Sequence, residues 1–290
     1  MKASKPTIAP FRVGEFDVLT IPDGSRSFPL LDGFIRNADR AQINEALVSA
    51  NMKADEITIV FNPVVISEKG RHVLMDTGNG ESANQSPTGP GQTRATLVEV
   101  GIAPEKIDLV VISHFHGDHI NGLLRADGSP AFPNAAITVP EREWAFWTSD
   151  DERRRAQGGS LEAAFANVWR VLIPMRERIE QHRWDAEISP GITAMGTPGH
   201  TPGHTSYIVA SRNSKLFVQS DVTNHPALFV RNPGWHAAFD MDPELAERTR
   251  RRVYEMLVSE KMPVQGFHFP LPSRGFVKRS GDGYHLVMGN

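Results

Sequence analysis

Apolar positions along the chain fall into two kinds of run, and each predicts a different element. Short runs rich in β-branched residues and bounded by turn residues predict strands. They lie at 16–21, 57–66 (interrupted by Asn62-Pro63), 72–75, 107–112, 135–139, 192–195, 206–209, 216–218 and 283–287. The turn Glu68-Lys69-Gly70 joins 57–66 to 72–75 as a hairpin. Longer amphipathic runs predict helices over 41–50, 93–100 (closed by Gly101), 141–149 and 161–181. A last helix runs from Asp242-Pro243, an N-cap followed by a first-turn proline, to about Lys261. Strands cluster in two groups with helices between and after them, which argues a layered α/β (α+β) domain. No linker divides the chain, so 1–290 reads as one domain with an irregular N-terminal extension at about 1–15.

Composition narrows the chemistry. With 290 residues, 40% hydrophobic and 22% charged, the chain buries a core without staples. It has no cysteine, which excludes disulfides, thiolate ligands and a thiol nucleophile. A metal site must therefore use His, Asp, Glu or backbone oxygen, a donor set that suits zinc, manganese, iron or cobalt. The net charge of −3 and the lack of a basic run argue against nucleic acid as a partner. No apolar stretch approaches 18 residues, so no membrane span is expected. The opening MKASKPTIAPF has lysines but no apolar region behind them, so no signal peptide is expected and the cytoplasm is the default location.

Four segments carry candidate chemistry. His114-x-His116-x-Asp118-His119 places four metal-competent side chains within six residues, directly after the buried run 107–112. Alternation along an extended backbone aims His114 and His116 to one side. A turn at Gly117 then lets Asp118 and His119 face a second position. One metal needs about four ligands, so four donors split by a turn suit two adjacent metals that each draw more from elsewhere. The second segment is Gly196-Thr197-Pro198-Gly199-His200-Thr201-Pro202-Gly203-His204, where rigid turns fix the imidazoles. His200 reads as a ligand, and His204 either as a partner behind the ligands or as a support for the turn. The third is Ser220-Asp221, at the end of the strand 216–218, and the fourth is His268 between Phe267 and Phe269. Asp76, at the end of the strand 72–75, reads either as an orienting partner for a ligating His or as a turn cap. Phe115, Trp144, Phe146 and Trp147, with His225, are candidate walls of a substrate pocket, core packing being the other reading of the four aromatics.

These motifs resemble the metallo-β-lactamase superfamily, over nearly the whole chain from about Asp17. Phe132-Pro133-Asn134-Ala135, Phe146-Trp147, the 197–205 segment, His268-Phe269-Pro270 and Gly281-Asp282-Gly283-Tyr284 further resemble the branch of methyl parathion hydrolase and its lactonase-like relatives. Gly117 and Asn224-His225 depart from methyl parathion hydrolase. The resemblance implies a four-layer αββα sandwich with the metal site at one edge of two sheets. It implies His114, His116 and His200 on one metal, Asp118, His119 and His268 on the other, and Asp221 between them, with zinc the leading metal.

The activity implied is hydrolysis of a lactone or carboxylic ester, with acyl-homoserine lactones as candidate substrates. Hydroxide from a metal pair attacks a carbonyl carbon, and Asp118 or Asp221 passes the proton to the leaving group. Phosphotriester (organophosphate) hydrolysis uses the same hydroxide and is the near alternative. Iron-dependent oxidation of sulfur compounds or reduction of oxygen is the more distant one. The partner expected is a small-molecule substrate, and a homodimer is compatible with the sequence.

Overall fold

The computed structural model of the chain describes residues 10–86 and 88–289. In chain order its strands are β1 (Phe11–Val13), β2 (Phe16–Thr20), β3 (Gly24–Pro29), β4 (Glu56–Phe61), β5 (Val64–Glu68), β6 (Arg71–Met75), β7 (Leu109–Val111) and β8 (Ala136–Pro140). They continue as β9 (Ile179–His182), β10 (Glu187–Ser189), β11 (Ile192–Gly196), β12 (Thr205–Ser211), β13 (Ser214–Val218), β14 (Val264–Gln265), β15 (Arg274–Ser280) and β16 (Gly283–Met288). The helices are α1 (Arg40–Ser49), α2 (Thr93–Glu99), α3 (Gly117–Ile120), α4 (Glu141–Trp147), α5 (Asp150–Arg155), α6 (Ser160–Leu172), α7 (Pro226–Phe229) and α8 (Pro243–Glu260). One sheet has the order β1-β2-β5-β6-β7-β8-β9, a second runs β10 to β16 in sequence, and β3-β4 form a separate hairpin.

Period-two alternation builds the layers. Val64, Ile66, Val73, Met75, Leu109 and Val111 point from the first sheet toward Ile192, Ala194, Val209, Leu216 and Val218 of the second, forming the core between the sheets. The intervening Val65, Leu74 and Val110 point the other way, onto Leu97 of α2 and Trp147, Phe165 and Val168 of α4 and α6. On the second sheet Phe217 turns outward onto Val253, Tyr254 and Leu257 of α8. Helix, sheet, sheet and helix thus stack as the four-layer αββα sandwich. A fourth cluster, with Ile43 and Leu47 of α1, Ile57 of β4 and Leu228 and Phe229 of α7, packs beside it.

Several elements differ from the sequence expectation. The run 57–66 is two strands in different sheets, β4 in the hairpin and β5 in the first sheet. At the break, Asn62 Nδ2 donates to the Phe269 carbonyl at 2.8 Å, and the Asn62 N–H donates to the Phe267 carbonyl at 2.9 Å. The expected helix 161–181 stops at Leu172. Pro174 follows in a short 3-10 segment, Ile173–Arg178, and the chain then enters β9. Proline removes a backbone donor and disfavours helix in the residue before it, which accounts for the stop. Part of the expected 1–15 extension lies outside the described residues, but Phe11–Val13 pairs with β2 and is regular. Among the described residues, no helix is long and apolar enough to cross a membrane.

The topology delivers four chain segments to one edge. β6, β7 and β8 run parallel, and so do β13 and β14, so their C-terminal ends lie together. The Thr205 N–H donates to the Ser113 carbonyl at 3.1 Å, tying the two sheets there.

His182 makes a second tie. Its Nδ1 lies 2.9 Å from Thr138 Oγ1 on β8, and its Nε2 lies 3.2 Å from the Tyr207 hydroxyl on β12. Burial pushes the His182 imidazolium down to about 4, so the unfolded chain takes up this proton near pH 6.5 while the folded chain refuses it. Stability from this group is present above pH 6.5 and is lost as pH falls toward 4. His182→Gln should remove about 3 kcal/mol of that acid-side slope, read from denaturant unfolding of the metal-free protein at pH 7, 5.5 and 4. An unchanged slope would exclude His182 as its source.

Candidate metal centre

The seven candidate ligands, spread over 155 positions of sequence, meet at the shared edge. β7 ends at Val111 and leads through Ile112 and Ser113 into His114, Phe115 and His116, after which α3 starts at Gly117 and turns Asp118 and His119 the other way. The β11–β12 connection brings His200, the turn after β13 brings Asp221, and the turn after β14 brings His268. Gly199 is required for its position, because it sits at φ +129° and an added Cβ would lie 2.2 Å from the Ala246 backbone nitrogen.

Three donor groups result, each with its ligand atoms within 4.8 Å of one another: His114, His116 and His200; His114, His119 and Asp221; and Asp118, His119 and His268. His116 Nδ1 lies 3.1 Å from His114 Nε2 and 2.9 Å from His200 Nε2. Asp221 stands in the middle, with Oδ1 at 3.3 Å from His119 Nε2 and Oδ2 at 3.3 Å from His200 Nε2 and 3.1 Å from His268 Nε2. Asp118 Oδ2 lies 3.6 Å from His119 Nε2 and 3.5 Å from His268 Nε2.

This donor set fits a pair of cations. Tetrahedral ligation at zinc–nitrogen distances near 2.0–2.1 Å puts ligand atoms roughly 3.3 Å apart, close to the separations seen. Three imidazole nitrogens converging at such distances cannot all be satisfied by shared protons. His119 Nε2 and Asp221 Oδ1 are buried and stand 3.3 Å apart without forming a hydrogen bond, an arrangement that costs free energy unless a cation sits between such groups.

The far side of four of the five rings is held. His119 Nδ1 donates to Asp76 Oδ2 at 2.8 Å, His200 Nδ1 to Asp240 Oδ1 at 2.9 Å and His268 Nδ1 to the Val60 carbonyl at 2.8 Å. Ser113 Oγ lies 3.1 Å from His114 Nδ1 and donates to Asp76 Oδ2 at 2.8 Å. Such partners fix the tautomer and aim the free nitrogen inward. Electrostatics follow the same division. Burial and the neighbouring imidazoles hold His114 and His116 well below the ordinary histidine value. His119 and His268 are raised instead, because Asp221 and Asp118 outweigh their burial. Asp221 is buried, but His268 and His119 pull its carboxyl well below the usual range.

His204 uses both nitrogens elsewhere. Nδ1 donates to the Thr197 carbonyl at 3.0 Å, and Nε2 accepts the Asp221 backbone N–H at 3.1 Å. It therefore braces Asp221 from behind. Asp76 serves as the orienting partner of a histidine, not merely as a turn cap.

Sequence reasoning missed Asp240 and Arg250. Arg250, on α8 and 1% exposed, donates to the carbonyls of Val222, Pro233 and Trp235 at 3.0, 2.8 and 2.9 Å and reaches Asp240 Oδ2 at 3.4 Å. One buried guanidinium thus connects the Asp221 turn to the carboxylate behind His200. No local signal marks either residue. Asp240 is hidden beside the Asp242 cap, and Arg250 reads as one of three successive arginines on an exposed helix.

The aromatic pocket expected from sequence is corrected. Phe115 and Trp147 are fully buried in the core between the first sheet and its helices, and Trp144 and Phe146 pack against the same core. The Trp147 indole donates to Glu143 Oε1 at 2.8 Å. A cavity of about 1110 Å³ opens on the other side of the centre, and of the expected pocket residues only His225 lines it, together with His268.

Comparison with known proteins agrees with this geometry. The family model described as the metallo-beta-lactamase superfamily matches residues 62–259. An N-acyl homoserine lactonase from Bacillus cereus is 26% identical over 239 residues, covering 77% of this chain and 85% of the relative. The crystal structure of AidC, a dizinc quorum-quenching lactonase in complex with the product N-hexanoyl-L-homoserine, superposes with a TM-score of 0.90 at 23% identity, covering 98% and 97% of the two chains. The hydrolase AbOPH of the beta lactamase superfamily gives the same TM-score at 20% identity, with 99% of each chain covered.

The central place of Asp221 generates a prediction. Asp221→Ala should lose at least one metal ion per chain and most turnover, read by elemental analysis beside steady-state rates. Unchanged stoichiometry with normal rates would rule out a bridging position.

Proposed function

The chain belongs to the metallo-β-lactamase superfamily, and from that premise we propose that it is a dizinc hydrolase that opens the ring of N-acyl homoserine lactones. What carries the reading is one arrangement: Asp221 stands between His200 on one side and His119 and His268 on the other, and a large cavity reaches the centre at His268. The N-acyl homoserine lactonase relatives and the product-bound AidC structure support the lactonase side of the branch resemblance rather than the methyl parathion hydrolase side.

In this reading His114, His116 and His200 hold one ion, Asp118, His119 and His268 hold the other, and Asp221 lies between. Two zinc ions bound there supply Lewis acidity and a water of lowered pKa. The chain's own residues do the rest. Asp76, Asp240 and Val60 orient the imidazoles, so the centre is set before substrate arrives. Asp118 is the more open of the two central carboxylates, with its side chain 24% exposed against 5% for Asp221. It is therefore the group that takes a proton from the attacking water and returns it to the leaving oxygen. The water oxygen bonds to the lactone carbonyl carbon and the ring C–O bond breaks. The leaving oxygen stays on the same molecule as the homoserine hydroxyl.

The cavity supplies room for the acyl chain. Ala46 and Met52, on and just after α1, Val60 on β4, Val230 and Trp235 after α7, and Leu286 on β16 give it apolar walls. Transfer of each methylene of an acyl chain to such walls is worth roughly 0.8 kcal/mol.

The direct test is ring opening of N-hexanoyl and N-decanoyl homoserine lactone by zinc-loaded protein, followed by proton release, beside a phosphotriester substrate. Lactone turnover dominates on this reading. Phosphotriester turnover without lactone turnover would overturn it. Filling the cavity gives a second expectation: Ala46→Phe should raise KM for the decanoyl substrate about tenfold, a loss of ~1.4 kcal/mol, and affect the hexanoyl substrate less. Equal effects on both would place the acyl chain elsewhere.

A further inference from the structure

Glu143 stands in the first turn of α4, behind the three-imidazole half of the centre, and is 0% exposed. Burial pushes its carboxyl up from the ordinary value, against the hydrogen bonds that it accepts. A carboxylate in such a place is costly unless both its oxygens are occupied, and here they are. Oε1 accepts the backbone N–H of Phe115 at 3.1 Å and the indole N–H of Trp147 at 2.8 Å. Oε2 accepts the backbone N–H of Gly203 at 2.8 Å.

The two backbone donors are informative because of where they stand. Phe115 lies between His114 and His116, and Gly203 lies in the turn between His200 and His204. The imidazoles that meet at 3.1 and 2.9 Å thus come from two loops, 84 positions apart where His116 meets His200. One carboxylate is bonded to the backbone of both. Gly203 lets the second loop approach, since an added Cβ there would lie 2.1 Å from the Glu143 backbone nitrogen. Trp147, on the same helix, sets its ring edge-on to His116 with centroids 6.3 Å apart.

We propose that Glu143 is a positioning residue that sets the spacing of His114 and His116 against His200, and so the affinity of that half of the centre for its metal. It touches no candidate ligand atom and acts through the two loop backbones. The inference rests on the metal centre of the preceding reading and is independent of the lactone. A carboxylate that merely packed α4 onto the fold would contribute to stability without bearing on metal affinity.

The test is titration of metal-free protein with Co(II), read by its visible absorption bands and by calorimetry, for the native chain and Glu143→Gln. Glutamine keeps the size but presents one oxygen and one NH2 group, so an amide N–H of one loop loses its acceptor. The expected result is two Co(II) ions on the native chain. In Glu143→Gln one site should weaken by about 10–100-fold, with altered bands, and the other should keep its affinity. Two unchanged affinities alongside a lowered melting temperature would overturn the inference and leave the metal centre standing. Failure of the native chain to take two ions would instead overturn the reading of the centre. A measurement on the native chain serves if the variant does not fold. Hydrogen exchange of the Phe115 and Gly203 amides in the metal-free protein should be slow, because Glu143 and not the metal holds them. Fast exchange of either amide, slowed only by metal, would sink the proposal.

Discussion

Lone pairs facing one another in a dry pocket are the constraint from which the rest of this structure follows. Five imidazoles and two carboxylates are brought within a few ångströms, and among them the buried His119 Nε2 and Asp221 Oδ1 face each other at 3.3 Å without forming a hydrogen bond. In a folded protein without function such an arrangement would be selected away, because each orphaned buried group costs of order 1–3 kcal/mol. Two divalent cations turn the same arrangement into a favourable one. Folding must therefore hold, ahead of any metal, an assembly of groups that would otherwise seek other partners.

The sandwich holds it by giving most of the candidate ligands a second attachment. His119 is tied to Asp76 at the end of β6, His200 to Asp240, and His268 to the Val60 carbonyl on β4. These anchors are themselves anchored. Asp76 also accepts from the Ser113 backbone and hydroxyl, Asp240 meets the buried Arg250, and His204 accepts the Asp221 N–H. Burying Arg250 and Glu143 is expensive, and both meet that cost mostly with backbone groups, Glu143 with the two loops that carry histidines and Arg250 with the Asp221 turn and the segment after α7. The buried charges are thus spent on loop geometry, where an error of a fraction of an ångström would separate the imidazoles.

How much of this is legible in sequence depends on whether a residue's role is local. His114, His116, Asp118 and His119 announce themselves because one strand end and one turn place them all. The sheets are legible because burial on both faces leaves apolar runs, with neighbouring residues feeding different cores, as Leu74 does between Val73 and Met75. Asp240, Arg250 and Glu143 are illegible, since each acts through partners distant along the chain and looks like an ordinary surface charge. The helix expected over 161–181 fails at Pro174, a stop signal present in the sequence and overridden by the amphipathic pattern around it. Phe115 and Trp147 are misplaced for a subtler reason. Adjacency to a metal motif says nothing about which face of the loop a side chain takes, and here alternation sends Phe115 into the core while its histidine neighbours face the centre.

Chemistry and selectivity occupy different packing units. The candidate metal ligands stand at the ends of the two large sheets, whose cores would exist without any substrate. The walls of the 1110 Å³ cavity come mostly from α1, β4 and the segment after α7, with β16 the one large-sheet strand among them, and α1, the β3–β4 pair and α7 share a core of their own. The two units join at a few points. Val60 lines the cavity and accepts from His268, Asn62 fastens β4 to the backbone on either side of His268, and His225 faces the cavity from the start of α7. Changes in α1 therefore reshape the cavity without reaching Asp76 or Glu143, while changes in β4 shift the pocket wall and one candidate metal ligand together. A fold arranged this way keeps one hydrolytic centre while its pocket varies, which is the physical sense in which a metal motif can be readable when its substrate is not.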